Sequence, residues 1–149
     1  MSQDKLRPLD AVDRKIVDVL RADSRLSVSA LADQVNVSRA SAYNRLARLT
    51  ADGVITRFTV DVDHRALGHA ITALILMDID QHAWRKVEDQ VMALPGVERV
   101  ALTTGTFDVM VIVRTTDMET LRDVVLERLQ SMPAVRSTQT SFVLEERVS

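Results

Sequence analysis

The chain has 149 residues, 46% apolar and 27% charged, so it can bury a core and does not have a disordered composition. It has no cysteine, which excludes disulfides, thiolate zinc sites and a thiol nucleophile; it also shows neither a signal-peptide core nor an apolar run near the ~20 residues of a membrane helix, so a soluble cytoplasmic protein is expected. The net charge of -2 is uneven: residues 1–60 carry ten Lys/Arg against seven Asp, and the remainder nine basic against fourteen acidic, which sets a basic part suited to nucleic acid beside an acidic part.

Asp10 is placed to cap a first helix, with Asp13 as a second acid in its first turn. Val12, Ile16, Val19 and Leu20 then recur at helical spacing. Ser27 caps a second helix whose inner residues are Val28, Leu31 and Val35. Asn36 falls where the chain must turn sharply, and Asn tolerates the left-handed conformation better than most residues. Ser38 caps a third helix that runs to about Asp52 and is ended by Gly53. Val54 to Val62 alternates as a strand or wing-like hairpin would, and Asp63 to His69 reads as a polar linker broken at Gly68.

The stretch from Leu26 to Ile55 thus reads as two short helices joined by a tight turn, the second rich in Ser, Asn and Arg: a helix-turn-helix. On a 100° helical wheel Ala42, Leu46 and Leu49 cluster on one side of the third helix. Ser41, Asn44 and Arg48 lie opposite, with Arg39 and Arg45 on the flanks. Short polar groups and Arg suit base edges in a major groove. Ser38, Arg39 and Ser41 sit at the helix start, where bases and phosphates are met. Arg57 is placed to reach the DNA backbone or minor groove as a wing residue. The rival is a small helical bundle with a merely solvated face. The absence of any acid from Arg39 to Leu49, together with the two Ser caps and the Asn turn, favours DNA.

A different pattern begins at Ile71. ITALILMDI reads as a buried strand, and Trp84, Val87, Val91 and Leu94 mark a helix stopped by Pro95-Gly96. VERVALTT and FDVMVIVR are two further strands; Met118, Leu121, Val125 and Leu129 mark a helix stopped by Pro133; Val135 to Leu144 is a last strand. The order β-α-β-β-α-β predicts a ferredoxin-like sandwich, and the whole chain an α+β protein: a winged helix-turn-helix over 1–55, a hinge strand and linker over 56–69, and a sheet domain over 70–149. Helices should cover one sheet face only. Ile71, Ala73, Ile75 and Met77 face one way and Leu74 and Leu76 the other, while Val109, Val111 and Val113 oppose Met110 and Ile112. The uncovered apolar face should pair with another subunit.

The loop Thr103 to Asp108 joins two of these strands. Gly105 permits a backbone in which successive N–H groups converge on one space suited to a carboxylate, and Asp108 is placed to hold an ammonium group. The plain alternative is a hairpin turn in which Asp108 bonds a local N–H. His64, His69 and His82 show no i,i+4 pairing and no carboxylate arranged with them, so no metal site is expected. No cofactor loop and no Ser/His/Asp arrangement appears, so no catalytic residue is assigned.

LDAVDRKIVDVL from Leu9, DSRLSVSALADQVNVS from Asp23, RLARLTADGVITRF from Arg45, TTGTFDVMVIVR from Thr103 and LERLQSMPAVRSTQTSFVLEE from Leu126 resemble, in order, the Lrp/AsnC family of transcription regulators. The resemblance implies a nucleoid-associated regulator that binds double-stranded DNA. It also implies homodimers assembling further, often to octamers, and a small amino-acid effector. The effector would lie at Thr104, Gly105, Thr106, Phe107 and Asp108, facing Thr138, Gln139 and Thr140 of a neighbour's last strand. The sequence departs from the family pattern in having Asn36 at the turn, Ala30 where Glu completes a capping box, the small Ala42, and Val109 after Asp108. An effector-independent architectural DNA-binding protein is the alternative, and an enzyme on the same fold a more distant one.

Overall fold

In the computed structural model, which describes residues 8–146, the three N-terminal helices form where caps and periodicity put them. The first, α1, spans Ala11–Ala22. Asp10 caps it and Asp13 returns the bond to the Asp10 amide, a reciprocal box that fixes the start of the helix. The second, α2, spans Val28–Val35 behind the Ser27 cap and ends at Asn36, whose φ of 60° and ψ of 49° are left-handed. Ala30 gives no reciprocal bond, and Ser27 alone accepts from its amide. The third, α3, spans Arg39–Ala51 behind Ser38, whose Oγ accepts from the Ser41 amide. Ile16, Leu20, Leu31, Val35 and Leu49 form the shared core, with Val54 and Ile55 packed against it. Ala42 is fully buried, so its small side chain sits at a close helix contact.

The expected wing does not form. Residues 56–63 are neither helix nor strand, and Phe58 and Val60 are exposed. The alternation there is real, but a strand exists only through a ladder, and no partner strand for it lies among the described residues. The chain divides into two compact units, Met1–Asp61 and Val62–Ser149.

The second unit opens with a short turn from Asp63 to His69 and continues as β1 Ile71–Ile79, α4 Trp84–Met92, β2 Val97–Leu102, β3 Val109–Thr115, α5 Met118–Arg122 and β4 Val135–Phe142. A 3₁₀ turn, Gln81–Ala83, precedes α4, and α5 runs on as a π-helical stretch, Asp123–Leu129. The sheet order is β2-β3-β1-β4, all neighbours antiparallel. That is the order the β-α-β-β-α-β pattern predicts.

Period-two alternation decides the faces. Ala73, Ile75, Met77 and Ile79 of β1 and Val109, Val111 and Val113 of β3 are buried under Val87, Val91, Leu121 and Leu129 of the helices. Leu74 pairs directly with Ile112, and Leu76 with Met110, on the opposite face, where all four are half-buried. An apolar strip therefore runs along the middle of the uncovered face.

The linker expected at Asp63 to His69 is an ordered turn. The Asp63 carboxylate accepts from the Arg65 and Ala66 amides. At the other end the Gly68 amide donates to the Arg65 carbonyl and the His69 amide to the His64 carbonyl, with Gly68 at a φ of 86°. This is the six-to-one and five-to-two pair of a Schellman motif, which places its first and last side chains in contact. Those two side chains are His64 and His69, and their rings stack at 5.9 Å. Glu98 approaches His64 Nδ1 to 3.3 Å. The expectation that no carboxylate is arranged with these histidines is thereby corrected. They are five residues apart in a capped turn, not four apart on a helix, and their acid comes from β2.

Candidate nucleic-acid interface and effector loop

The exposed side of α3 is a stripe formed by Arg39, Ala40, Tyr43, Asn44 and Ala47. Asn44 lies on it as the wheel predicted and Arg39, placed by the wheel on a flank, joins it; neither pairs with an acid among the described residues. Tyr43 is 62% exposed at the centre of the stripe. Sequence reasoning passed over it, although its i+4 spacing from Arg39 was a readable signal. Ser38 is exposed at the helix start and Ser41 is half-buried. Arg57 is exposed outside any regular element.

Arg45 and Arg48 are placed differently from the expectation. Arg45 Nη1 donates to Asp10 Oδ2 at 2.6 Å and to Asp13 Oδ1 at 2.7 Å. Arg48 Nη2 donates to both oxygens of Asp13, at 2.7 and 2.6 Å. Asp13 is 2% exposed, so it is a buried carboxylate held by two guanidinium groups. The wheel placed Arg48 opposite the apolar side and Arg45 on a flank. The N-terminal turn of α1 covers that flank, so both arginines tie α3 to α1 instead of projecting from it. The Asp13 amide, followed by Arg45, holds the Asp10 carboxyl below its ordinary range.

In the loop between β2 and β3, the Thr103 amide donates to the Asp108 carbonyl and the Thr103 hydroxyl to the Phe107 carbonyl. The amides of residues 104–107 form no hydrogen bond among the described residues. Gly105, at a φ of 128°, gives the loop its turn. Thr104, Gly105 and Thr106 are exposed, and Phe107 is half-buried. Asp108 is already engaged: Oδ2 accepts from the Ile79 amide at 3.0 Å and Oδ1 from Gln81 Nε2 at 2.7 Å. Those two donors, the Ile79 amide foremost, lower its pKa. Its side chain therefore fastens the loop to the end of β1, through an N–H 29 residues earlier and not the local N–H of a plain hairpin turn.

On β4, Thr138 pairs with Met77 and Thr140 with Ile75, so both lie on the helix-covered face. Gln139 pairs with Leu76 on the open face. No hydrogen bond joins any of the three to the loop.

Two family models match. One, described as the AsnC-type helix-turn-helix domain, covers residues 9–50; the other, described as the Lrp/AsnC ligand binding domain, covers 72–149. The HTH-type transcriptional regulator FL11 of Pyrococcus horikoshii is 30% identical over 138 residues, which are 93% of this chain and 91% of that one. The HTH-type transcriptional regulator PH1692 of the same organism is 34% identical over 137 residues, 92% of each chain. The crystal structure of transcriptional regulator NMB0573 of Neisseria meningitidis, a complex with L-Met, superposes with a TM-score of 0.85 at 28% identity, covering 95% of this chain and 94% of that one. The E. coli AsnC structure shares the fold, with a TM-score of 0.83 at 24% identity over 96% of this chain and 97% of its own.

Proposed function

Because the chain belongs to the Lrp/AsnC family of helix-turn-helix transcriptional regulators, we propose that it reads operator DNA with the exposed stripe of α3 and that an amino acid bound at the Thr104–Asp108 loop alters its DNA affinity by changing its assembly. The observation that carries the first part is the stripe itself: Arg39, Tyr43 and Asn44 stand free on a helix with no carboxylate from Arg39 to Ala51. Ser38 and Ser41 at the helix start serve phosphates, and Arg57 serves the backbone beyond. Arg45 and Arg48 are positioning residues that hold α3 at its angle. Selection from a random duplex library should yield a recurring two-fold motif. Against it, Arg39→Ala and Asn44→Ala should each lose about tenfold or more in affinity, since a base contact is worth roughly 1–3 kcal/mol. Arg57→Ala should weaken all sequences alike and reduce the salt slope by about one. Full affinity in both α3 variants would remove this face from the interface.

Support for the second part comes from the four uncommitted amides of residues 104–107, which suit a carboxylate, and from the L-Met complex of the Neisseria relative. The chemistry refines the roles. The amides take the ligand carboxylate, while Asp108 holds the loop in shape and keeps lone pairs for an ammonium group. A neighbouring copy supplies Gln139 from the open face of its β4, while Thr138 and Thr140, on the covered face, hold that strand in place. The apolar strip of Leu74, Leu76, Met110 and Ile112 is the surface through which copies pair, building dimers and then larger rings such as octamers. An effector works here only by binding two assembly states unequally.

A thermal-shift screen of the twenty amino acids should find one that stabilises the protein; a hundredfold excess over its Kd adds about 2.7 kcal/mol. Asp108→Ala should weaken it tenfold or more, and light scattering on the same samples should show the particle size change. If no amino acid moves the melting curve, the reading becomes an effector-independent, architectural DNA-binding protein.

A further inference from the structure

We infer that His64, His69 and Glu98 form a binding site for a divalent transition-metal ion of the zinc class. One donor atom from each of the three residues lies within 4.8 Å of the other two. Two ligands held by zinc at roughly 2.0–2.1 Å with tetrahedral angles stand about 3.3 Å apart. The separation between His64 Nδ1 and Glu98 Oε1 is 3.3 Å. Two imidazoles and one carboxylate form a donor set that leaves a fourth position open, and Glu98 is the exposed member of the three.

A simple ion pair does not explain the arrangement. The Nδ1 atoms of both histidines are buried and neither has a hydrogen-bond partner among the described residues, although a carboxylate stands beside one of them. A buried ring nitrogen without a partner is costly, and two in one turn ask for a common partner. A metal ion gives both imidazoles a shared partner, whereas a His64–Glu98 pair involves only one of them.

The surroundings are those of a metal site. Glu98 is the extra residue of a β-bulge between Val97 and Arg99, a device that re-aims a side chain out of the regular alternation. Its other oxygen accepts from Arg114 Nε at 2.6 Å, and Arg114 in turn donates to Thr72 Oγ1 at 2.9 Å and to Glu146 Oε2 at 2.6 Å. A carboxylate oriented in this way by an outer partner is the usual support of a ligand. The adjoining cleft carries Asp63, Glu145 and Glu146 with Glu98 beside it, against Arg65 and Arg114, an excess of negative charge. On the protein side the ion would clamp the Asp63–His69 turn to β2. Magnesium and calcium, which take oxygen ligands, do not match the two imidazoles.

The test uses the full-length chain without a polyhistidine tag, stripped with EDTA, and zinc chloride titrated by calorimetry. One zinc per chain is expected, together with a rise in the Trp84-detected melting temperature that magnesium chloride does not produce. His64→Gln, His69→Gln and Glu98→Gln should each lose tenfold or more in zinc affinity. His82→Gln, which alters the exposed third histidine, should retain wild-type affinity. Each variant is first shown to keep the Trp84 emission of the folded sheet, and a variant that loses it is replaced by the alanine form at the same position. Zinc binding that is absent in the wild type, or intact in any of the three variants, overturns the site.

Discussion

Asp13→Ala should destabilise the helical unit by about 3 kcal/mol, because it removes the one buried acid that joins two arginines of α3 to α1. Breaking a buried ion pair by deleting one partner costs roughly 3–5 kcal/mol. The lower end applies here because the stranded groups are the arginines, whose side chains are 24% and 31% exposed and can turn to water. Arg48→Ala should cost less, since Asp13 keeps Arg45. Arg45→Ala with Arg48→Ala should cost at least as much as Asp13→Ala, since it strands the carboxylate and not the cations. The readout is built into the chain. Tyr43 is its one tyrosine and lies on α3, while Trp84 is its one tryptophan and lies on α4. Urea unfolding of Asp13→Ala should move the Tyr43 transition and leave that of Trp84 in place. An unmoved Tyr43 transition would show that the ion pairs contribute nothing net. The same ordering bears on DNA binding: a weakened Arg45 or Arg48 variant reports a lost contact only if its Tyr43 transition is unchanged.

The second large effect is at the turn between α4 and β2. Gly96 has a φ of 79°, and a Cβ built on it would lie 2.3 Å from the Arg114 carbonyl oxygen. That oxygen is backbone within β3 and cannot swing aside. The Gly96 carbonyl also accepts from the Arg114 amide at 2.7 Å, so moving the turn away breaks a sheet-edge bond. Gly96→Ala should therefore cost about 3–4 kcal/mol, the sum of left-handed strain and displaced backbone. Gly53→Ala supplies the comparison. Gly53 has a similar φ of 71° but nothing within 4 Å of its Cβ position, so only strain applies, about 1 kcal/mol. A Trp84 unfolding midpoint for Gly96→Ala that equals wild type would show the close approach to be relieved at no cost.

Several features were legible in the residues because they depend on neighbours a few positions away. Capping at Asp10, Ser27 and Ser38 is a contact over three residues, and all three caps form as expected. The left-handed Asn36 is a local steric preference. The four strands and their buried faces follow from period-two alternation, and the sandwich from the β-α-β-β-α-β order of the elements. What was read wrongly depended on distant chain. Arg45 and Arg48 looked outward on a wheel of α3 alone, because the acids that hold them lie 32 to 35 positions earlier. The wing was inferred from alternation, yet a strand requires a ladder partner, and none lies beside residues 56–63 among the described residues. The two histidines lack helical spacing because they sit in a Schellman turn; the DHRALGH run carries that signal, but the acid that completes the cluster does not adjoin it.

The sequence by itself determined the caps, the helix and strand periods, the order of the elements and the acid-free outer side of α3, since each is set by neighbouring residues along the chain. Only the tertiary structure decided which of the helix's arginines are free, what Asp108 holds, and that a glutamate on a bulge meets two histidines. Those outcomes depend on through-space pairing of charges and donors tens of residues apart, and local propensity carries no record of such pairing.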